Sequence, residues 1–354
     1  ALGGRFSLST QSWNILREQG TNDQRIGARL NWERPLTGAF GEMYSLTLRT
    51  DTAGYNSSHL NLDPNFSPLA SADSAFAQPQ VAVKVNWPFV RDGGVLGTQL
   101  IEPIAQLIAA PGTGGYRQNN RPNEDSLDFL FDANNLFELN RYPGLDRQEG
   151  GVRLNVGLHG NWTLPNNMVF DGLVGDSLRP SRDNSYLPGT GLDSTTVSDI
   201  VARATVKPAS WLDLSANTRF DHRDLTIRYA DVVAAAGVPL LHVGLGYLHS
   251  NTSPYTLSDF AQIPADYFVP RDEITLSATT HFLDHWNLSA YARRNLETHS
   301  MVSAGVHGFY EDECFILDAN ASRRYTSLNG DSGATIVLFT ITLKTVGAFG
   351  FHAF

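Results

Sequence analysis

The feature that most constrains this chain is a period of two. From Thr335 to Lys344, Val337, Phe339, Ile341 and Leu343 alternate with Leu338, Thr340, Thr342 and Lys344, as a pleated strand requires by sending successive side chains to opposite faces. One face is apolar and the other largely polar. The pattern recurs at Val81, Val83, Val85 and Trp87, and again at Val152, Leu154, Val156 and Leu158. It returns at Leu212, Leu214, Ala216, Thr218 and Phe220, and at Ile274, Leu276, Ala278 and Phe282. Segments of about ten residues have the length of a tilted strand crossing a hydrocarbon core. The chain therefore reads as all-β, an antiparallel transmembrane β-barrel of the outer-membrane kind, with roughly 16 strands.

Composition removes the main competitors. Apolar residues make up 42% of the 354, and no apolar run reaches the ~18 residues of a spanning helix, so a helical membrane bundle is excluded. A formal net charge of −10 argues against nucleic acid as a partner, since phosphate binding calls for a basic face. The single cysteine, Cys314, has no partner within the chain, and its place beside Asp312 and Glu313 suggests a rim or loop and a missing partner elsewhere.

Punctuation supports the same architecture. Leu283-Asp284-His285 reverses the chain into Trp286, Leu288, Ala290 and Ala292, a tight hairpin of the kind that alternates with long loops in barrels. Trp13, Trp32, Trp87, Trp162, Trp211 and Trp286 all fall near segment ends, where an amphipathic ring sits at headgroup level and builds an aromatic girdle. Stretches 54–77, 111–147 and 179–194 are too long and too rich in Gly, Pro, Asn and Ser for turns. Within the second, Glu124, Asp125, Asp146 and Arg147 are expected to knit a packed plug against the wall through charge-assisted bonds.

Reactive chemistry finds little support. Gly330-Asp331-Ser332-Gly333 resembles a serine-protease nucleophile loop, but Ala334 follows where another glycine is needed, and the tetrapeptide is also an ordinary turn. His222, His281 and His285 show no spacing that would recruit a serine into a triad. Metal-ligating histidine spacing is missing, so neither a metal nor another cofactor is expected. The acids Glu124, Asp125, Asp128 and Asp132 could hold a hard divalent cation, against the plainer account of solvated loop charge. These residues leave open a lipid-handling barrel, a 16-stranded diffusion porin and a barrel-borne lipid hydrolase.

An ordered set of motifs then narrows the choice. Glu102-Pro103-Ile104-Ala105-Gln106, Pro122-Asn123-Glu124-Asp125-Ser126, Asn135-Leu136-Phe137, Asn140 through Arg147 and Glu149-Gly150-Gly151 resemble the central block of the LptD family of lipopolysaccharide-assembly proteins, also called organic solvent tolerance proteins. Leu187 through Leu192, Ser198-Asp199, Arg293-Arg294-Asn295-Leu296 and Tyr310 through Cys314 continue the likeness in order. The resemblance implies a Gram-negative outer-membrane translocon, not an enzyme. It would receive lipopolysaccharide from a periplasmic LptA-type bridge, hold an LptE-type plug lipoprotein, and release lipid through a lateral gate between its first and last strands.

The family's barrel has about 26 strands behind a periplasmic jellyroll, so residues 1–354 are expected to be the C-terminal part of such a barrel, with the jellyroll and first strands outside the chain. Val337, Phe339, Ile341 and Leu343 are then expected on the last strand as one lip of the gate. Cys314 falls where the family has a cysteine or an adjacent cysteine pair bonded to the N-terminal periplasmic region; one is present here, which implies a single bridge to a cysteine outside the chain. Arg153, Arg219 and Arg293, facing the lumen by alternation, are candidate guides for lipid phosphates.

Overall fold

The structure, a computed structural model, describes residues 3–18, 20–62, 69–114, 121–126, 129–180, 186, 189–192, 196–238, 240–252, 270–283, 285–325 and 333–344, and the backbone of 347–353. Eighteen strands form one antiparallel sheet. They are β1 (Arg5–Ile15), β2 (Asn22–Thr37), β3 (Met43–Ser58), β4 (Ser71–Asn86), β5 (Phe89–Asp92), β6 (Thr98–Ala110), β7 (Gly151–Thr163), β8 (Val169–Leu178) and β9 (Ile200–Ala209). β10 (Leu212–Phe220), β11 (Ile227–Val238), β12 (Leu241–Ser250), β13 (Arg271–Phe282), β14 (Trp286–Asn295), β15 (Met301–Glu311), β16 (Phe315–Arg324), β17 (Ala334–Leu343) and β18 (Gly347–Ala353) follow.

Each strand pairs with its chain neighbours, so the sheet is a meander. β5 continues β4 against β6 in unchanged register across Trp87-Pro88, where the Trp87 N–H still donates to the Pro103 carbonyl. The wall therefore has seventeen staves. Among the described residues, β1 pairs only with β2 and β18 only with β17, leaving the wall open along those two edges.

Polarity is inverted relative to a soluble sheet. On β2, Asp23, Arg25 and Gly27 are buried while Ile26 and Leu30 are exposed; on β7, Arg153 and Asn155 are buried while Val152 and Leu158 are exposed. The outer apolar face and the polar inner face are what a lipid-facing barrel wall requires. Backbone groups are satisfied between strands, which lets the wall cross hydrocarbon.

Connections are short at one rim and long at the other. Residues 38–42, 93–97, 164–168, 210–211, 239–240, 283–285, 312–314 and 344–346 make the short rim, and 59–70, 111–150, 179–199 and 251–270 are the longest at the opposite rim. In outer-membrane barrels the short turns face the periplasm. Half of the stretch 54–77 is strand, since 54–58 extend β3 and 71–77 extend β4. The apolar side of the alternation fades there because both strands run toward the long rim, where an outward residue needs no lipid contact.

Of the six tryptophans, Trp87, Trp162, Trp211 and Trp286 are exposed and all sit at the short rim. Trp13 instead turns inward, its indole N–H donating to Asp23 at 3.0 Å with the Arg25 guanidinium 3.3 Å over its ring. Trp32 is buried beside Phe6 and Gly4. Val337, Phe339, Ile341 and Leu343 lie on β17, which is not the last strand. Gly347–Ala353 pairs beyond it through Val337↔Ala353 to Leu343↔Gly347, a short glycine-rich stretch whose alternation is too brief to read from sequence.

Candidate functional site: a lumen filled by the 111–150 connection

The connection between β6 and β7 folds into the lumen. Through Asp125 it reaches Arg25 on β2, and through Leu130 it shares a cavity with Thr275 on β13. In a flat sheet those staves would stand roughly 50 Å apart at ordinary strand spacing, so the sheet curls around the connection.

Its first anchor is a carboxylate pair. The Asp125 carboxylate accepts the backbone N–H groups of Leu145 and Asp146 at 2.9 and 3.0 Å, and the Asp146 carboxylate accepts those of Glu124 and Asp125 at 2.7 and 3.2 Å. The fully buried Arg25 donates to both acids at 2.7 and 2.6 Å, and the Tyr55 hydroxyl donates to Asp146 at 2.7 Å. Glu124 takes a bidentate pair of bonds from Arg17 at 2.9 and 2.7 Å. Burial and the charge of Asp125 push the Asp146 carboxyl up to about 6. Against its own burial, the Leu145 and Asp146 N–H groups and Arg25 hold Asp125 below the usual carboxylate range.

The second anchor is Glu149. It is fully buried and pairs with Arg141 at 2.8 Å, Arg153 at 3.4 Å and Arg179. Against its burial, these three guanidinium groups keep its carboxyl below the usual range. Arg141 also donates to Asn155 and Ser177 on the wall at 2.7 and 3.1 Å, and to the Leu136 carbonyl. Around them Phe131, Leu136, Tyr142, Tyr186, Leu192, Leu173 and Val201 form an apolar core with Ile104. Tyr142 stacks on Tyr186 at 5.0 Å, and Phe129 tilts against both.

Wall glycines provide the seats. A Cβ at Gly175 would lie 2.4 Å from Leu136 Cδ2 and 2.5 Å from the Val156 carbonyl oxygen, and one at Gly27 would lie 2.9 Å from Leu145 Cδ1. The connection is thus fastened by ion pairs at two points and by apolar side chains set into bare backbone.

The residues expected from sequence are distributed as follows. Glu124, Asp125 and Asp146 contact the wall, whereas Arg147 donates to the Arg121, Pro122 and Asp146 carbonyls inside the connection. Arg153 and Arg219 are buried, donating to Glu138 and Leu139 carbonyls and to Thr190 and Gly189 carbonyls respectively. Arg293 pairs with Glu273. Three of the four acids considered for a cation are separately engaged or placed: Glu124 by Arg17, Asp125 by Arg25, and Asp132 by the Asn134 and Asn135 N–H groups, while Asp128 lies outside the described residues. Among the described residues no group of three metal-ligating side chains assembles. His281 bonds Asn287, His285 the Glu311 carbonyl, and His222 lies 4.0 Å from Asp199. Residues 330–332 lie outside the described residues.

Cys314 is exposed on the short rim, its N–H donating to the Asp312 carboxylate at 2.7 Å. The roles of Arg25 and Tyr55 on the wall, of Arg17 and Arg179 just past strand ends, and of Arg141 within the connection do not show in the sequence. For Arg17, Arg25 and Arg179 the available signal is charge on the polar face of a strand or at its end.

No curated protein matches the sequence. Among solved structures, a triple mutant of the Rhodopseudomonas blastica porin is 12% identical and aligns over 98% of this chain and 100% of its own, with a TM-score of 0.39. A mutant of the ferric enterobactin receptor PfeA from Pseudomonas aeruginosa is 10% identical and aligns over 93% of this chain and 55% of its own, with a TM-score of 0.50. At that identity the receptor likeness speaks to fold alone, and it agrees with an outer-membrane β-barrel wall. Residues 1–286, most of the sequence, match the family described as LptD, LPS transport system D, and the chain belongs to that family.

Proposed function

We propose that this chain is the barrel wall of a translocon that receives lipopolysaccharide on the periplasmic side of a Gram-negative outer membrane and inserts it into the outer leaflet through a lateral gate. The observation that carries the reading is a polar lumen behind an apolar outer wall in a chain of the LptD family, with β18 as the free edge that would form one lip of the gate. Acyl chains gain about 0.8 kcal/mol per CH₂ on entering hydrocarbon, so an opening in the wall serves the transfer better than a catalyst, and no covalent step is needed. Two unpaired strand edges are costly in lipid, which supports reading the seventeen staves as the C-terminal part of a larger barrel.

β17, with Val337, Phe339, Ile341 and Leu343, would lie one stave inside the gate. Glu124, Asp125 and Asp146 would fix the connection as an internal plug, with Arg147 holding its shape. Arg293, already paired with Glu273, and Arg153 and Arg219, which hold loop carbonyls, are better read as parts of the wall and its anchors than as guides for phosphate. Partners in this reading are an LptE-type plug lipoprotein and an LptA-type bridge. Cys314, on the rim that barrels turn toward the periplasm, would bond a cysteine of the N-terminal periplasmic region.

Conditional depletion of the full-length protein, followed by assay of newly made lipopolysaccharide at the cell surface, tests the function. Loss of surface delivery with accumulation behind the outer membrane is expected. Normal delivery with altered solute uptake would favour a diffusion pore instead. Unchanged gel migration with and without reductant would remove the disulfide.

A further inference from the structure

The 111–150 connection crowds one side of the lumen, and on the other side a cavity of about 450 Å³ remains under Leu130. Its floor is a row of directly paired residues on four staves, Val233↔Gly246↔Thr275↔Arg293, with Gly244↔Ser277 one step along. At strand spacing this row is about 14 Å wide. Tyr229 and Asp231 stand at one end and Arg293 at the other.

The glycines make the space. A Cβ at Gly246 would reach Thr275 Cβ at 3.5 Å, ordinary contact, so a side chain there would fit the fold while filling the floor. The lining decides the ligand. Hydroxyls of Thr275 and Ser277, a carboxylate acceptor at Asp231, a guanidinium at Arg293 and a Tyr229 ring suit a ligand that both donates and accepts hydrogen bonds along its length. An acyl chain would strand these polar groups. A phosphate would meet Asp231 and Glu273 against the one guanidinium of Arg293, which Glu273 already engages.

We infer that this cavity is a subsite for a neutral saccharide, formed by Asp231, Gly246, Thr275, Ser277 and Arg293. The inference rests on the proposed lipopolysaccharide reading, and deepens it by assigning the sugar portion to one side of the lumen. The test measures binding to the full-length protein in lipid nanodiscs with four probes: intact lipopolysaccharide, its lipid-free oligosaccharide released by mild acid, the unrelated oligosaccharide maltoheptaose, and inorganic phosphate. Asp231→Asn removes the charged acceptor, and Gly246→Val fills the floor without touching the ion pair.

The lipid-free oligosaccharide should bind and should weaken at least tenfold in both variants, with phosphate not competing. Equal competition by maltoheptaose would identify a general sugar site, and no competition a site selective for the lipopolysaccharide's own sugars; both keep the saccharide class. Unchanged affinity in both variants, absence of oligosaccharide binding, or displacement by phosphate would overturn the subsite. Intact lipopolysaccharide separates the two levels, because its binding without the free oligosaccharide rejects the subsite alone, whereas failure of both rejects the transport reading as well.

Discussion

Asp125 and Asp146 cap each other's backbone. Each carboxylate accepts two N–H groups from the segment carrying the other, and both share the buried guanidinium of Arg25. Arg25→Ala would leave two buried acids without their counter-charge, a loss of about 3–5 kcal/mol for a broken buried pair. The expected outcome is rapid protease cleavage and fast hydrogen exchange within 121–150 while the strands stay protected. Uniform protection in the variant would mean that the apolar seats alone hold the connection.

The same pair sets a pH response. Asp146 has its carboxyl raised to about 6, chiefly by burial and then by Asp125, so the folded connection binds a proton before the unfolded one does. Its ionised form is disfavoured at neutral pH, and protection of 121–150 should rise as pH falls through about 6. Asp125 and Glu149 are held below their ordinary values of 3.8 and 4.5, so their stabilisation is complete above those values and is lost as pH drops through the lower folded ones. Hydrogen exchange across pH 3 to 8 should show greatest protection on the acid side of neutral. Asp146→Asn should remove the rise near 6 and keep the acid loss.

Glu149 is paired with three buried guanidinium groups, those of Arg141, Arg153 and Arg179. Glu149→Gln keeps the shape and removes the charge, leaving like charges buried together. The cost should again be about 3–5 kcal/mol, read as a lower yield of folded, heat-modifiable barrel on refolding into detergent. Glu149→Gln combined with Arg179→Met should recover part of the loss. If the double variant is no better than the single one, the penalty lies in lost hydrogen bonds and not in charge.

Much of the wall was legible because lipid on one side and water on the other force a strict alternation, and Val152 to Leu158 shows it residue by residue. The strand extensions at 54–58 and 71–77 escaped because toward the long rim an outward residue such as Asn56 no longer needs to be apolar. β18 escaped for a different reason, being seven residues long and rich in glycine. In the lumen, the acids at Glu124, Asp125 and Asp146 stood out by their density, but their partners did not. Arg25 and Asp146 are 121 residues apart and Tyr55 and Asp146 are 91 apart, a pairing that only curling of the sheet creates. Alternation reads Arg153 and Arg219 as inward and both are buried, yet alternation cannot show that loop carbonyls already occupy them.

The glycine seats give a test that charge cannot confuse. Gly175 faces the lumen, and an added Cβ would meet both Leu136 and the Val156 backbone, the latter unable to move without breaking the β7–β8 ladder. Gly172, on the outer face of the same strand, would meet only the Arg203 carbonyl oxygen at 3.5 Å, ordinary contact. Gly175→Leu should therefore unseat the connection, with a cost of about 1–3 kcal/mol for overpacking, while Gly172→Leu should be tolerated because its side chain enters lipid. The measurement is protease access to 121–150 beside the thermal midpoint of the barrel. Gly175→Leu should open the connection and lower the midpoint through its clash with the Val156 carbonyl, and Gly172→Leu should change neither. Equal behaviour of the two variants would show that Leu136 has room to repack, and that the ion pairs at Asp146 and Glu149 carry the anchoring.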